Sequence, residues 1–255
     1  MRDRVVVLAR ATFLEAMRDK VLLVVALFAL GLVLFSRVLG WLSVEDELKM
    51  VQDFSLSGLA VLGLLLAMLV GAFSLAKEVE RRTLYPLLSR DVTRGEFLLG
   101  KYFGLVGATW SCLAAAGGAL LVWIVLWGGQ PTEALFAALL GLLCESLLLV
   151  AVALFLGTLT APAIAAIGTC GFALAARSTE ALRELCADGR SPEFSTFWSL
   201  AYKLLPNTED VNFINATTAQ LPVHWSQLAM GALAMALWST VFVGGAILLF
   251  RRREV

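Results

Sequence analysis

Charge is scarce in this chain. Asp, Glu, Lys and Arg make up 16% of its 255 residues, against 60% that are hydrophobic. A soluble domain carries roughly 25% charge and about 45–50% apolar residues, so an ordinary soluble fold is excluded. Histidine occurs once, as His224. A lone imidazole without cysteine or carboxylate company builds no metal cage; no metal site is expected, and His224 in Pro222–Val223–His224–Trp225 reads as interfacial packing. The four cysteines (Cys112, Cys144, Cys170, Cys186) show no CxxC spacing. A disulfide framework belongs to small secreted chains. Three of these thiols lie in apolar runs, where cysteine acts as a small hydrophobe. No small-residue cleavage site follows the first apolar run, so a cleavable signal peptide is not expected. Internal repeats and low-complexity segments are also missing. Acidic and basic residues balance at 20 each. Net charge therefore points to no partner, and nucleic acid is not among those expected.

What is present is length of apolar run. A spanning helix needs roughly 20 apolar residues to cross about 30 Å of hydrocarbon. Candidate spans are 21–42, 54–76, 102–127, 134–156 and 228–250, with a shorter run at 163–176. The last is too short to cross alone at about 1.5 Å per residue and needs flanking residues or a thinned bilayer. Residues 5–17 mix apolar and charged positions at helical spacing and predict an interfacial helix within 1–20. Residues 177–227 form the longest polar stretch. Within it Phe194, Phe197, Trp198, Ala201, Leu204 and Leu205 recur at helical spacing until Pro206–Asn207 stops them. That pattern predicts an amphipathic interfacial helix or a re-entrant hairpin before the last span. The expected fold is an all-α integral membrane protein, one domain over 1–255 with six transmembrane helices. Segments 1–20, 77–101, 157–162 and 251–255 hold 14 of the 20 basic residues. By the positive-inside rule both termini face the cytoplasm, and 177–227 faces outward.

Few residues carry chemistry. Gly95 to Lys101 fits G-x-x-x-x-G-K, but Tyr102 stands where a Mg²⁺-binding Ser/Thr belongs and no strand precedes it. The chain is therefore not expected to hydrolyse ATP itself. Glu145 is the one carboxyl well inside a span, at a cost of about 2.5–3.5 kcal/mol on insertion scales. It is either a gate or pathway residue or a neutral carboxyl bonded to a neighbouring helix. Gly100 and Gly104 stand four apart, and Gly117–Gly118 and Gly244–Gly245 are paired. Small residues allow close helix contact, within one bundle or between copies.

The stretch 77–101 holds the most specific pattern. Glu78, Glu80, Thr83 and Leu84 read E-x-E-x-x-T-L. Leu87, Leu88 and Ser89 follow as L-L-S, then a turn reaching Arg94, then Glu96, Gly100 and Lys101 as E-x-x-x-G-K. This resembles the signature of the ABC-2 family of ABC-transporter permeases, except that Asp91 stands where the family often has proline. Leu84, Leu87 and Leu88 make an apolar stripe, and Glu78, Glu80, Arg81 and Arg82 a charged rim, suited to a groove on a soluble partner. The resemblance implies a permease subunit, not itself catalytic, acting as an exporter in a bacterial inner membrane. It implies an ATPase partner that holds ATP and Mg, this chain having no cofactor, and a second permease copy or paralogue. The ATPase-coupling residues would be Glu78, Glu80, Arg81, Thr83, Leu84, Leu87, Leu88, Arg94, Glu96 and Lys101. Two alternatives stand beside it. One is a non-transport membrane subunit passing force to an extracytoplasmic protein through 177–227. The other is an ion-coupled carrier or intramembrane enzyme, for which Glu145 is the only support.

Overall fold

The computed structural model describes residues 2–40, 47–80, 93–179, 206–219 and 221–252. The regular structure of the described residues is all helical: α1 (Arg2–Met17), α2 (Lys20–Gly40), α3 (Glu47–Glu80), α4 (Arg94–Leu126), α5 (Glu133–Leu159), α6 (Pro162–Arg177), a 3-10 turn (Glu209–Val211), α7 (Ile214–Thr218) and α8 (Trp225–Arg252).

Four of the described helices, α3, α4, α5 and α8, are long and apolar enough to cross a membrane. This is the architecture of a multi-pass helical membrane protein, with four long crossings rather than the six expected. α6 has 16 residues and rises about 24 Å, short of the hydrocarbon thickness. α2 has 21 residues and is apolar over most of its length, and among the described residues its apolar stretch is Val24–Ser36.

The centre of the bundle is α5, which packs on α3, α4, α6 and α8. Its residues Leu148 to Leu154 are all buried, so every face is covered. A helix that is apolar all round belongs in such a place. Its contact with α3 is tight because small residues meet: a Cβ on Gly71 would lie 2.5 Å from Ala153 Cβ, the close approach that small side chains permit. Local signals set the helix ends. Thr93 and Thr132 cap α4 and α5 with their hydroxyls. α4 stops at Gly128, whose φ of 75° is favoured by glycine. There Gly129 N–H donates to Ile124 O and Gly128 N–H to Val125 O, closing the last carbonyls in a Schellman motif. Pro162 opens α6 three residues after α5 ends.

α5 and α8 run in the same direction. Gly141 and Gly231 face the same turn near their starts, and Phe155 and Phe242 pair further along. The chain must therefore climb back between them. α6 makes the first half of that climb and ends beside the middle of α5. The turn Glu209–Val211 and α7 lie against the upper half of α5, with Val211, Phe213 and Ile214 buried. The expected interfacial or re-entrant helix over 194–205 lies outside the described residues. The piece that follows it, 206–219, is set into the bundle.

The N-terminal helix is packed against the bundle. α1 runs alongside α4 in the same direction. A Cβ on Gly100 would lie 2.5 Å from Leu8 Cβ, and one on Gly104 would lie 2.6 Å from Ala9 O and Thr12 Cβ. Further along, Ser111 Oγ is 3.3 Å from Met17 Sδ. Gly100 and Gly104 thus form a seat for α1 inside one chain. Of the paired glycines, Gly117 and Gly245 pack on Leu139 and Phe155, whereas Gly118 and Gly244 meet nothing within 4 Å.

Candidate functional site

Two groups of polar side chains stand out, at different heights of the bundle. The first lies where α4 begins, beside α1 and the ends of α3 and α8. Glu96 belongs to a capping box. Its Oε2 accepts from Thr93 N–H and Thr93 Oγ1, both at 3.0 Å, while Glu96 N–H donates back to Thr93 Oγ1 at 3.3 Å. Two amide donors of the new helix are thereby satisfied, with a carboxylate at its positive end. Arg94 Nη1 donates to Phe250 O at 3.2 Å. A cation on a last-turn carbonyl complements the end of α8. Phe97 stacks on Phe250 at 6.4 Å beneath it. Lys101 is 2% exposed and donates from Nζ to Ser74 O at 2.7 Å. Its ammonium also lies 5.6 Å from the Phe97 ring centroid, within reach of a cation–π attraction.

Each letter of E-x-x-x-G-K therefore has a mechanical task. Glu96 starts the helix, Gly100 admits α1, and Lys101 ties α4 to α3. Together with Arg94 these residues join four helices at one end. Glu78 and Glu80 belong to the last turn of α3. Arg81, Thr83, Leu84, Leu87 and Leu88 lie outside the described residues.

The second group surrounds Glu145. It is 7% exposed, and Arg177, the last residue of α6, grips it with two bonds: Nε to Oε1 and Nη2 to Oε2, each 2.8 Å. Such a bidentate pair is the strongest form of carboxylate recognition. The expected bond to a neighbouring helix is present, made with Arg177 as an ion pair between adjacent helices. A polar chain continues from it. Thr179 Oγ1 lies 2.9 Å from both Ala176 O and Asn207 Oδ1. Asn207 Oδ1 also accepts from Glu209 N–H at 3.2 Å, and Asn207 Nδ2 donates to Asp210 Oδ1 at 3.2 Å. The turn Glu209–Val211 is wedged between two glycines. Gly141 lies against Val211 O, and a Cβ on Gly231 would be 2.7 Å from Val211 Cγ1. At the same level Trp110 Nε1 donates to Leu143 O at 3.0 Å, pinning α4 to α5.

The structure brings Arg94, Glu96 and Lys101 together and leaves Glu145 apart from them, midway along α5. Arg177, Asn207, Gly141 and Gly231 were not singled out from sequence as site residues. The available signal for Arg177 was its place as the first charge after the 163–176 run, and for Asn207 the Pro206–Asn207 stop. Among the described residues no group of three or more His, Cys, Asp or Glu is placed to hold a metal ion.

A family described as "Protein of unknown function (DUF2705)" matches residues 44–255. The chain belongs to the DUF2705 family. The match takes in α3 to α8, and so both polar groups of this DUF2705 chain, while α1 and α2 precede it. The description assigns no activity, and no ABC-2 permease family was identified. No curated protein matches the chain.

Proposed function

We propose that this DUF2705 chain is the transmembrane subunit of an ATP-driven transporter of the ABC-2 type. It would sit in a bacterial inner membrane with both termini in the cytoplasm. A separate ATPase subunit would bind and hydrolyse ATP, and a second copy or a paralogue would complete the membrane pair. Four of its helices, α3, α4, α5 and α8, would cross the membrane, with α2 and α6 as shorter apolar companions. Export is the favoured direction, by resemblance.

The observation that carries this is the junction around E-x-x-x-G-K. Segment 81–92 connects the end of α3 to the capped start of α4. At that junction α3 is tied through Ser74 O, α4 through Glu96, α8 through Phe250 O, and α1 through Gly100. A displacement of 81–92 by a soluble partner would therefore be felt by four helices at once. That is what coupling to an ATPase requires: a docking element whose motion moves packed helices rather than a free loop.

The test is co-purification from the native host. Tagged full-length chain should bring down an ATP-hydrolysing subunit, and the charge reversals Glu80→Arg and Arg94→Glu should weaken the association. If no ATPase associates in mild detergent and the reversals change nothing, the proposal is wrong.

A second use of the same architecture is force transmission to a partner on the far side. The wedge of 206–219 between α5 and α8 favours it, because motion of those helices would displace that segment. ATP-dependent movement of a solute by the purified complex in vesicles counts against this use.

A further inference from the structure

α1 has two faces of different character. On one, Leu8, Ala9 and Thr12 sit against Gly100 and Gly104, Phe13 lies on Gly107, and Ala16 is buried. On the other, at helical spacing, Val7, Arg10, Ala11, Leu14 and Arg18 are exposed, Val7 at 66% and Leu14 at 43%. This outer stripe carries two guanidinium groups and no carboxylate. Glu15 stands to one side, on the lining of a cavity between α1, α3 and α4. Among the described residues neither Arg10 nor Arg18 has a carboxylate within ion-pair distance.

What covers the stripe follows from what comes next in the chain. α2 turns Val24, Leu27 and Phe28 outward, each more than half exposed. In a multi-pass membrane protein such a surface belongs to hydrocarbon. Arg18 precedes Val24 by six residues, about 9 Å of helix, so the stripe ends in the headgroup layer beside it. Exposed apolar residues interleaved with arginine suit that layer. Arg10 and Arg18 stand eight residues apart, about 12 Å, too far to share one phosphate. Each guanidinium offers a planar fork that matches phosphate oxygens. A zwitterionic headgroup brings its own cation next to the phosphate, whereas an anionic one leaves its charge to the protein. An acidic protein surface could meet the two charges, but it would have to displace the lipid that α2 brings alongside. We propose that the outer face of α1 binds anionic phospholipid, one phosphate at Arg10 and one at Arg18, with acyl chains against Val7 and Leu14. The helix is then held from both sides, by the glycine seat on α4 and by lipid. The inference does not depend on an ATPase partner.

The full chain is reconstituted in vesicles of phosphatidylcholine and phosphatidylglycerol in equal amounts and extracted in mild detergent. Native mass spectrometry then identifies the lipid that stays bound. Phosphatidylglycerol should be retained in excess, with each arginine contributing about fivefold to the preference. The double variant Arg10→Gln/Arg18→Gln, which alters only exposed positions, should lose most of the excess. The charge-matched control Arg251→Gln/Arg252→Gln, at the end of α8, should keep it. Equal retention of the two lipids by the unaltered chain, or an excess untouched in the Arg10/Arg18 variant, would overturn the proposal. An equal loss in the control would overturn it too, and would mark a general attraction of the basic end to an anionic leaflet. So would a variant that keeps its phosphatidylglycerol but no longer brings down a soluble protein from the host, which would assign the stripe to that protein.

Discussion

At the scale of single residues, the Glu145–Arg177 pair is where removing a few atoms should matter most. Taking away one partner of a buried ion pair leaves an uncompensated charge, which costs about 3–5 kcal/mol when both are fully buried. A third of the Arg177 side chain remains exposed, so Glu145→Gln and Arg177→Met should each cost about 2–4 kcal/mol in reversible unfolding. Replacing both by Leu and Met should recover much of that loss, since apolar replacement of a buried pair is often neutral. A double variant as unstable as the worse single one would contradict this account. Thr93→Ala should cost about 1 kcal/mol by removing the capping box, measured the same way. Of these residues Glu145 was visible in the sequence, because a carboxyl within an apolar run is conspicuous. Its partner was not. Arg177 follows 32 positions later, at the edge of a polar stretch, and nothing local says that a short helix folds back to bring it to mid-height. Lys101 and Glu96 were legible as letters of a pattern. Their tasks were not, because a cap and a lysine reaching a carbonyl across helices are facts of three-dimensional arrangement.

At the scale of elements, glycines decide which helices touch. α1 follows α4 because Gly100 and Gly104 let its backbone approach. Cysteines at Met17→Cys and Ser111→Cys should therefore cross-link under mild oxidation in a chain otherwise free of cysteine. Adding Gly104→Leu should abolish the cross-link, as the leucine occupies the place of Ala9 and Thr12. Persistence of the cross-link would mean that α1 is held elsewhere. The wedge obeys the same rule. Gly231→Leu should release Glu209–Val211 from between α5 and α8, read as faster amide exchange over 206–219 with α5 unchanged. The small-residue spacing at Gly100 and Gly104 was evident beforehand, but not whether it served one chain or two. Gly141 and Gly231 gave no such warning, being 90 positions apart and each an isolated glycine in an apolar helix. Their significance exists only once a turn from elsewhere is pressed between them.

At the scale of the whole molecule, direction follows from the pairing of helices. The turn at Gly128 and the segment 81–92 lie at opposite ends of α4, and α8 ends where α4 begins. Single cysteines at Gly128 and at Ser89 should react with a membrane-impermeant thiol reagent from opposite sides of sealed vesicles. A cysteine at Arg252 should behave like the one at Ser89. Labelling of Gly128 and Ser89 from the same side would refute the arrangement. The long apolar runs announced α5 and α8 to within three residues of their ends and the bodies of α3 and α4, which start seven and eight residues earlier, because a continuous run has few alternatives in a bilayer. The climb between α5 and α8 was harder to foresee, since it is assembled from two short pieces. That division has a consequence for biogenesis. During synthesis α6 emerges with α5, but the turn Glu209–Val211 has only half of its socket until Gly231 of α8 has been translated. A nascent chain halted before α8 should hold 206–219 loosely and expose Asn207 and Asp210 to added reagents. Release of the arrested chain to full length should close them off. The 206–219 segment is thus fully seated only after α8 has arrived.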